Sequence, residues 1–232
     1  MSNVSLCVQE LVAANQILAN EGVLDAFGHV SVRHPARPGH FLLSTSRAPE
    51  LVLEQDIIEY DANSEPVIPI SESQYAERYI HGEIYRLRPD VQAICHHHSP
   101  AIMPFCISDA PLAPVYQHGA MIGAHVPRWD SRDDFGDTNL LIVNTEQGAS
   151  LARALGKASI VLMKHHGATV VGKDIKELVF RSVTSCKNAE ALYRALALGP
   201  APGLTPGEIE KAAKVPDMAM ARAWNLWKGR IA

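Results

Sequence analysis

At 232 residues, 47% hydrophobic and 20% charged, the chain has the composition of an ordinary soluble globular domain, long enough for one sizeable core and short for two. Its formal net charge of -4 gives no electrostatic case for nucleic acid or an anionic membrane surface as a partner. No apolar run approaches the roughly 20 residues that span a bilayer, and residues 1–10 lack the basic and apolar regions of a signal peptide, so the expected location is the cytoplasm.

Leu6, Leu11, Val12, Ile17 and Leu18 recur near helical spacing and predict a helix over residues 4–21, stopped by Gly22. Residues 27–33 and 39–44 read as a strand hairpin; 56–61 and 66–70 read as two more strands joined by Ala62-Asn63-Ser64-Glu65. A second helix is expected over 71–88, ended by Pro89-Asp90, followed by a buried strand at Val91-Gln92-Ala93-Ile94-Cys95 that runs into His96-His97-His98. Residues 112–116, 120–126 and 140–144 are short strand candidates. Residues 146–156 read as helical, 159–172 as strand-like and 174–198 as a long helix with Asp174 as its N-cap. Pro200, Pro202 and Pro206 break the chain after that helix, and 208–215 and 218–228 read as terminal helices. Strands and helices interleave without a regular βαβ period. The expected fold is α/β: one domain over 1–232, a central mixed or antiparallel sheet flanked by helices, with a helical tail from about 204 to 232. Cys7, Cys95, Cys106 and Cys186 show no CxxC spacing and read as free thiols of a reducing compartment.

The histidines carry the chemistry. Side chains alternate across a strand, so His96 and His98 share one face while His97 points the other way. Two imidazoles on one face make a two-point metal site, and a third ligand would leave a coordination position open, as in catalytic metal sites. The bland alternative is two satisfied core histidines. His165-His166-Gly167, after the apolar run Ile160-Val161-Leu162-Met163, offers the third ligand. Only one of the two adjacent histidines can face the site, and Gly167, which permits close backbone approach, weakly favours His166. Glu77 is an acid/base candidate because its helix leads directly into the histidine strand; on residue type alone, a solvated helix carboxylate is the simpler reading.

These residues resemble the class II aldolase/adducin family, which includes metal-dependent aldolases acting on fuculose and ribulose phosphates. The markers are Gly28-His29-Val30-Ser31-Val32-Arg33, Glu77-x-x-x-His81, Ile84-Tyr85, Arg88-Pro89-Asp90, His96-x-His98 and His166-Gly167, in the family's order over about residues 5–198. The resemblance implies that His96, His98 and His166 bind one divalent metal and that Glu77 is the acid/base residue beside it. It also implies a central sheet flanked by helices and a homotetramer or other homo-oligomer with the site near a subunit interface.

The chain departs from the aldolases where they hold phosphate. It has Gly28-His29 for their Gly-Asn, Thr45-Ser46 followed by Arg47 for their Thr-Gly, and Tyr75-Ala76 for the Ser-Ser pair before the glutamate. Small hydroxyls give way to an imidazole, a guanidinium and bulk. Arg47 is a planar fork suited to a carboxylate, and His29 and Tyr75 have flat faces that could lie against a ring. With the segments 46–51, 95–98 and 129–139, these features are similar to a decarboxylase branch of the family acting on hydroxylated aromatic or pyridine carboxylates.

The expected function is therefore a divalent-metal-dependent carbon–carbon lyase, a decarboxylase of a small hydroxylated aromatic or heteroaromatic carboxylate. The metal is expected to be zinc or manganese, with iron or cobalt compatible. His29, Ser46, Arg47 and Tyr116 are the expected substrate-binding residues. Glu77 is the first choice of proton donor, with His29 or Tyr116 as alternatives. The rival readings are an aldolase on a hydroxy-keto substrate, a non-haem iron oxygenase and a non-catalytic adducin-like module. Trp224 and Trp227 on the terminal helix suggest a self-association surface; the alternative is that they cap the monomer core. Tyr116 is then a candidate contributor from a neighbouring subunit.

Overall fold

A seven-stranded sheet in the order β3-β2-β1-β4-β7-β6-β5 forms the centre of the chain. The computed structural model describes residues 3–231; residues 1, 2 and 232, the ends of the expected domain, lie outside the described residues. The strands are β1 (His29–Arg33), β2 (Phe41–Ser44), β3 (Ile57–Tyr60), β4 (Ala93–His97), β5 (Arg128–Trp129), β6 (Ile160–Met163) and β7 (Gly167–Gly172). All neighbours pair antiparallel except β5 and β6, which run parallel, so the sheet is mixed. The helices are α1 (Asn3–Asn20), α2 (Arg78–Leu87), α3 (Met103–Ile107), α4 (Ser131–Phe135), α5 (Thr145–Leu155), α6 (Ile175–Leu198), α7 (Pro206–Ala212) and α8 (Asp217–Lys228).

Strand alternation divides the apolar side chains between two layers. Val30, Val32, Cys95, Ala168 and Val170 pack with Leu11 and Ile17 of α1, Leu178 and Val183 of α6, and Trp224 of α8. Leu43, Ile94, Val161, Met163 and Val171 pack with Ile80 and Ile84 of α2 and Leu151 and Leu155 of α5. Each fully buried side chain of this size contributes roughly 1.5–3 kcal/mol relative to exposure. A one-residue slip of β4 would exchange its two faces and expel Ile94 and Cys95 from their layers. That apolar constraint sets the register His29↔His96 and His96↔Thr169, which aligns three polar residues across β1, β4 and β7 on the α2 face.

The structure corrects several expected elements. Residues 66–70 form no strand but a single bridge, Tyr60↔Pro66; Pro66 and Pro69 lack the N–H a ladder needs. The second helix begins at Arg78 rather than Ser71. Tertiary bonds claim the preceding segment: Ser46 N donates to Ser73 O at 2.8 Å, and the Tyr75 hydroxyl donates to the Arg47 carbonyl. Residues 112–116 are irregular because Asn188 of α6 takes their backbone groups, accepting from Val115 N and donating to Ala113 O, both at 2.8 Å. Residues 117–122 form a 3-10 helix where a strand over 120–126 was expected. The 140–144 candidate is no strand either; side chains capture its amides, Glu77 that of Ile142 and Gln147 that of Val143. The expected long strand over 159–172 is the β6–β7 hairpin, turned at His165, whose φ is +57°. The helix over 174–198 forms with Asp174 as N-cap, accepting from Glu177 N. Trp224 and Trp227 are buried in the α1–α6–α8 layer of this same chain, so they provide no free surface for self-association.

Candidate metal centre

Four side chains converge at one edge of the α2 face: Glu77, His96, His98 and His166, with one ligand atom of each within 4.8 Å of all the others. His96 Nε2 lies 2.9 Å from His98 Nε2 and 3.5 Å from Glu77 Oε2; His166 Nε2 lies 3.4 Å from the same carboxylate oxygen. Alternation works as the strand predicts. His97, on the opposite face, has its Nδ1 at 3.3 Å from the Ser99 amide and stays outside the cluster. His165 is exposed on the hairpin turn.

Two glycines let backbone approach the histidine strand. A Cβ at Gly167 would collide with the His97 carbonyl, and one at Gly28, whose φ is +87°, would lie 2.8 Å from the His96 carbonyl oxygen. Gly167 therefore lets the hairpin backbone pass close to the histidine strand.

The chemistry of this donor set fits a divalent cation. Glu77 is buried, and its only basic neighbours within ion-pair distance among the described residues are His96 and His166. Burial, followed by His166, His29, His98 and His97, holds His96 far below the usual imidazole range. Burial and then His166 lower His98 as well, with Glu77 and Asp25 opposing. Among the described residues no Lys or Arg lies within ion-pair distance of Glu77, and a buried carboxylate charge left unpaired is costly. The tautomer of His96 points the same way. Thr169 donates its hydroxyl to Met163 Sδ at 3.5 Å, so its oxygen is free to accept from His96 Nδ1 at 3.3 Å. That assignment leaves the His96 Nε2 lone pair facing the cluster, the orientation a ligating imidazole needs.

A cavity of about 430 Å³ opens over the cluster and is lined by His29, Ser46, Arg47, Tyr75, Glu77 and His98, among others. The His29 ring lies between those of Tyr75 and His96, with centroids 4.6 and 5.2 Å away. Arg47 Nη1 is 3.2 Å from the buried Asp56 carboxylate, and its side chain is 40% exposed, so the guanidinium keeps donors for a ligand. A larger groove of about 670 Å³ lies beyond the far end of β1. It lacks converging metal ligands, and Arg37 and Lys176 there are already paired with Glu59 and Glu10.

The structure thus brings Glu77, His96, His98, His166, His29, Ser46 and Arg47 together. Tyr116 stands apart: its hydroxyl donates to Thr184 O of α6 at 3.2 Å, on the opposite side of the sheet. His81 and Ser31 received no role from sequence reasoning. The spacing His81-x-x-x-Tyr85 places both on one stripe of α2, and strand alternation puts Ser31 on the same face of β1 as His29.

Comparison with known proteins gives the family. A profile described as the class II aldolase and adducin N-terminal domain matches residues 9–193. The chain is 35% identical over 249 aligned residues to the decarboxylase tropJ of Talaromyces stipitatus, covering 96% of this chain and 93% of that protein. It is 26% identical to 3,4-dihydroxyphthalate decarboxylase of Rhodococcus jostii, covering 66% of this chain and 62% of that one. An L-fuculose 1-phosphate aldolase from Glaciozyma antarctica shares the fold, with a TM-score of 0.81 at 24% identity over 98% of this chain and 89% of that one. By sequence over most of its length, and with the fold to match, the chain belongs to the class II aldolase and adducin family.

Proposed function

We propose that the protein is a metal-dependent decarboxylase of a small hydroxylated aromatic or heteroaromatic carboxylate. The observation that carries this reading is one pocket in which Arg47, His29 and Tyr75 stand beside the Glu77-His96-His98-His166 cluster. The near full-length similarity to a decarboxylase supports it. His96, His98 and His166 would hold a divalent ion, which when bound supplies a Lewis acid and a template for neighbouring substrate oxygens. Their nitrogen-rich set favours zinc over manganese on intrinsic affinity.

The chain's own residues do the rest. Arg47 binds a substrate carboxylate through its planar fork. Tyr75 lies against the ring, and His29 stands beside it in the pocket wall. Glu77 takes the proton of the substrate's hydroxyl on Oε2; as the bond to CO2 breaks, its electron pair stays on the ring carbon, and Glu77 returns that proton there from Oε2 while Ile142 N–H holds Oε1.

We also propose that a second copy of the chain covers the mouth of the pocket. Phe27 and Leu141, both lining it, are 69% and 39% exposed. In such an assembly Tyr116 would serve a neighbouring subunit's pocket. No helix among the described residues is long and apolar enough to cross a membrane.

The test is incubation of the metal-loaded protein with hydroxy-aryl and hydroxy-pyridine carboxylates and, separately, hydroxy-keto compounds. Metal-dependent CO2 release supports the decarboxylase. Aldehyde release without CO2 would assign the site to an aldolase.

A further inference from the structure

A chain of buried polar groups runs from the α2 layer to the pocket. Tyr85 Oη lies 2.8 Å from Ser31 Oγ, Ser31 Oγ 2.6 Å from His81 Nδ1, and His81 Nε2 2.6 Å from His29 Nδ1. All four residues are buried, and Tyr85, Ser31 and His81 take no part in the reaction proposed above.

The direction of donation is set by the closed end of this chain. Ser31 is the one hydrogen-bond partner of the Tyr85 hydroxyl among the described residues. If Ser31 donated to Tyr85, the tyrosine proton would have no acceptor, because the Arg33 guanidinium stacked 4.7 Å from the ring centroid only donates. Tyr85 therefore donates to Ser31. Ser31 spends its single proton on His81 Nδ1. His81, kept neutral by complete burial, carries its proton on Nε2 and donates to His29 Nδ1. The proton of His29 is then on Nε2, the one ring nitrogen of His29 with no hydrogen-bond partner among the described residues, in a ring that lines the pocket. The chain stops at Tyr85 inside the core, so it orients hydrogen bonds and does not conduct protons from solvent.

We propose that His81 is a positioning residue that fixes His29 as the Nε2–H tautomer, so that the pocket beside the metal cluster offers a fixed hydrogen-bond donor and selects a ligand bearing an anionic oxygen. The ligand class rests on the function proposed above; the tautomer does not. Arg47 lines the same pocket, so a ring carrying a carboxylate next to a hydroxyl meets two separate donors.

Long-range 1H–15N correlation spectra of the 15N-labelled, zinc-loaded full chain read the tautomer of each histidine, and His29→Gln identifies the His29 signals. The expected result is His29 with Nδ1 unprotonated and Nε2 protonated. His81→Gln, which retains an N–H donor at the position of Nε2, keeps that tautomer and holds salicylate affinity within about twofold, while His81→Leu loses the preference and weakens salicylate about tenfold. His29 found as the Nδ1–H tautomer in the unsubstituted chain overturns the proposal, whether or not the variants fold. So does a folded His81→Leu protein with unchanged tautomer and unchanged salicylate affinity. The expected tautomers together with no CO2 release from any carboxylate would support the His81 assignment while counting against the decarboxylase.

Discussion

Glu77 accepts the backbone N–H of Ile142 through Oε1 at 3.1 Å, which leaves Oε2 to face His96 at 3.5 Å and His166 at 3.4 Å. One carboxylate oxygen thus holds Ile142, and the other is left facing the two imidazoles. Glu77→Gln keeps an acceptor for Ile142 and removes the titrating oxygen. It should lower kcat by roughly 10²–10⁴-fold with metal still bound, where proton transfer limits turnover. Retained decarboxylation with lost metal would instead make Glu77 a ligand.

Metal binding should depend on the three cluster histidines and not on their sequence neighbours. Replacing His96, His98 or His166 with Gln should reduce metal content measured by elemental analysis, and chelation should abolish activity. His165→Gln should leave both unchanged, because that side chain is exposed on the turn.

Arg47 should act on ground state and transition state alike. Arg47→Ala is expected to raise KM for carboxylate substrates with little change in kcat. An unchanged KM for every carboxylate tested would remove the carboxylate subsite and return weight to an aldolase.

Acid should destabilise the fold through buried neutral imidazoles. Burial pushes His81 down to about 3 from its ordinary 6.5. Between those values the unfolded chain binds a proton that the folded chain does not, so stability falls as pH drops from about 6.5 towards 3. Denaturant unfolding across this range should show that slope, and His81→Gln should make it shallower. A slope unaffected by the substitution would show that His81 does not contribute.

The parts of the site that were legible in the sequence are those governed by strand alternation and helical spacing. His96 and His98 separate from His97 because Ile94 and Cys95 must enter different apolar layers. His166 separates from His165 because the hairpin turns there and Gly167 passes close to the His97 carbonyl. The N-cap at Asp174 was likewise readable. What escaped was backbone claimed by distant side chains. The amides of Ile142, Val143 and Val115 bond to Glu77, Gln147 and Asn188 rather than to strands, and no local pattern announces that. Glu77 was expected inside a helix but stands just before its first turn, with its carboxylate turned to the cluster rather than to capping. Tyr116 could be placed only once residues 112–116 were seen packed against α6.

The most direct test of the metal centre and its ligand class is a structure of the metal-loaded protein with a bound hydroxy-aryl carboxylate, the ion located by anomalous scattering. The expected result is one divalent ion within about 2.0–2.3 Å of His96, His98 and His166, with the carboxylate at Arg47 and a second oxygen at His29. An ion bound through His97 or His165, or a ligand that leaves Arg47 and His29 untouched, would contradict it.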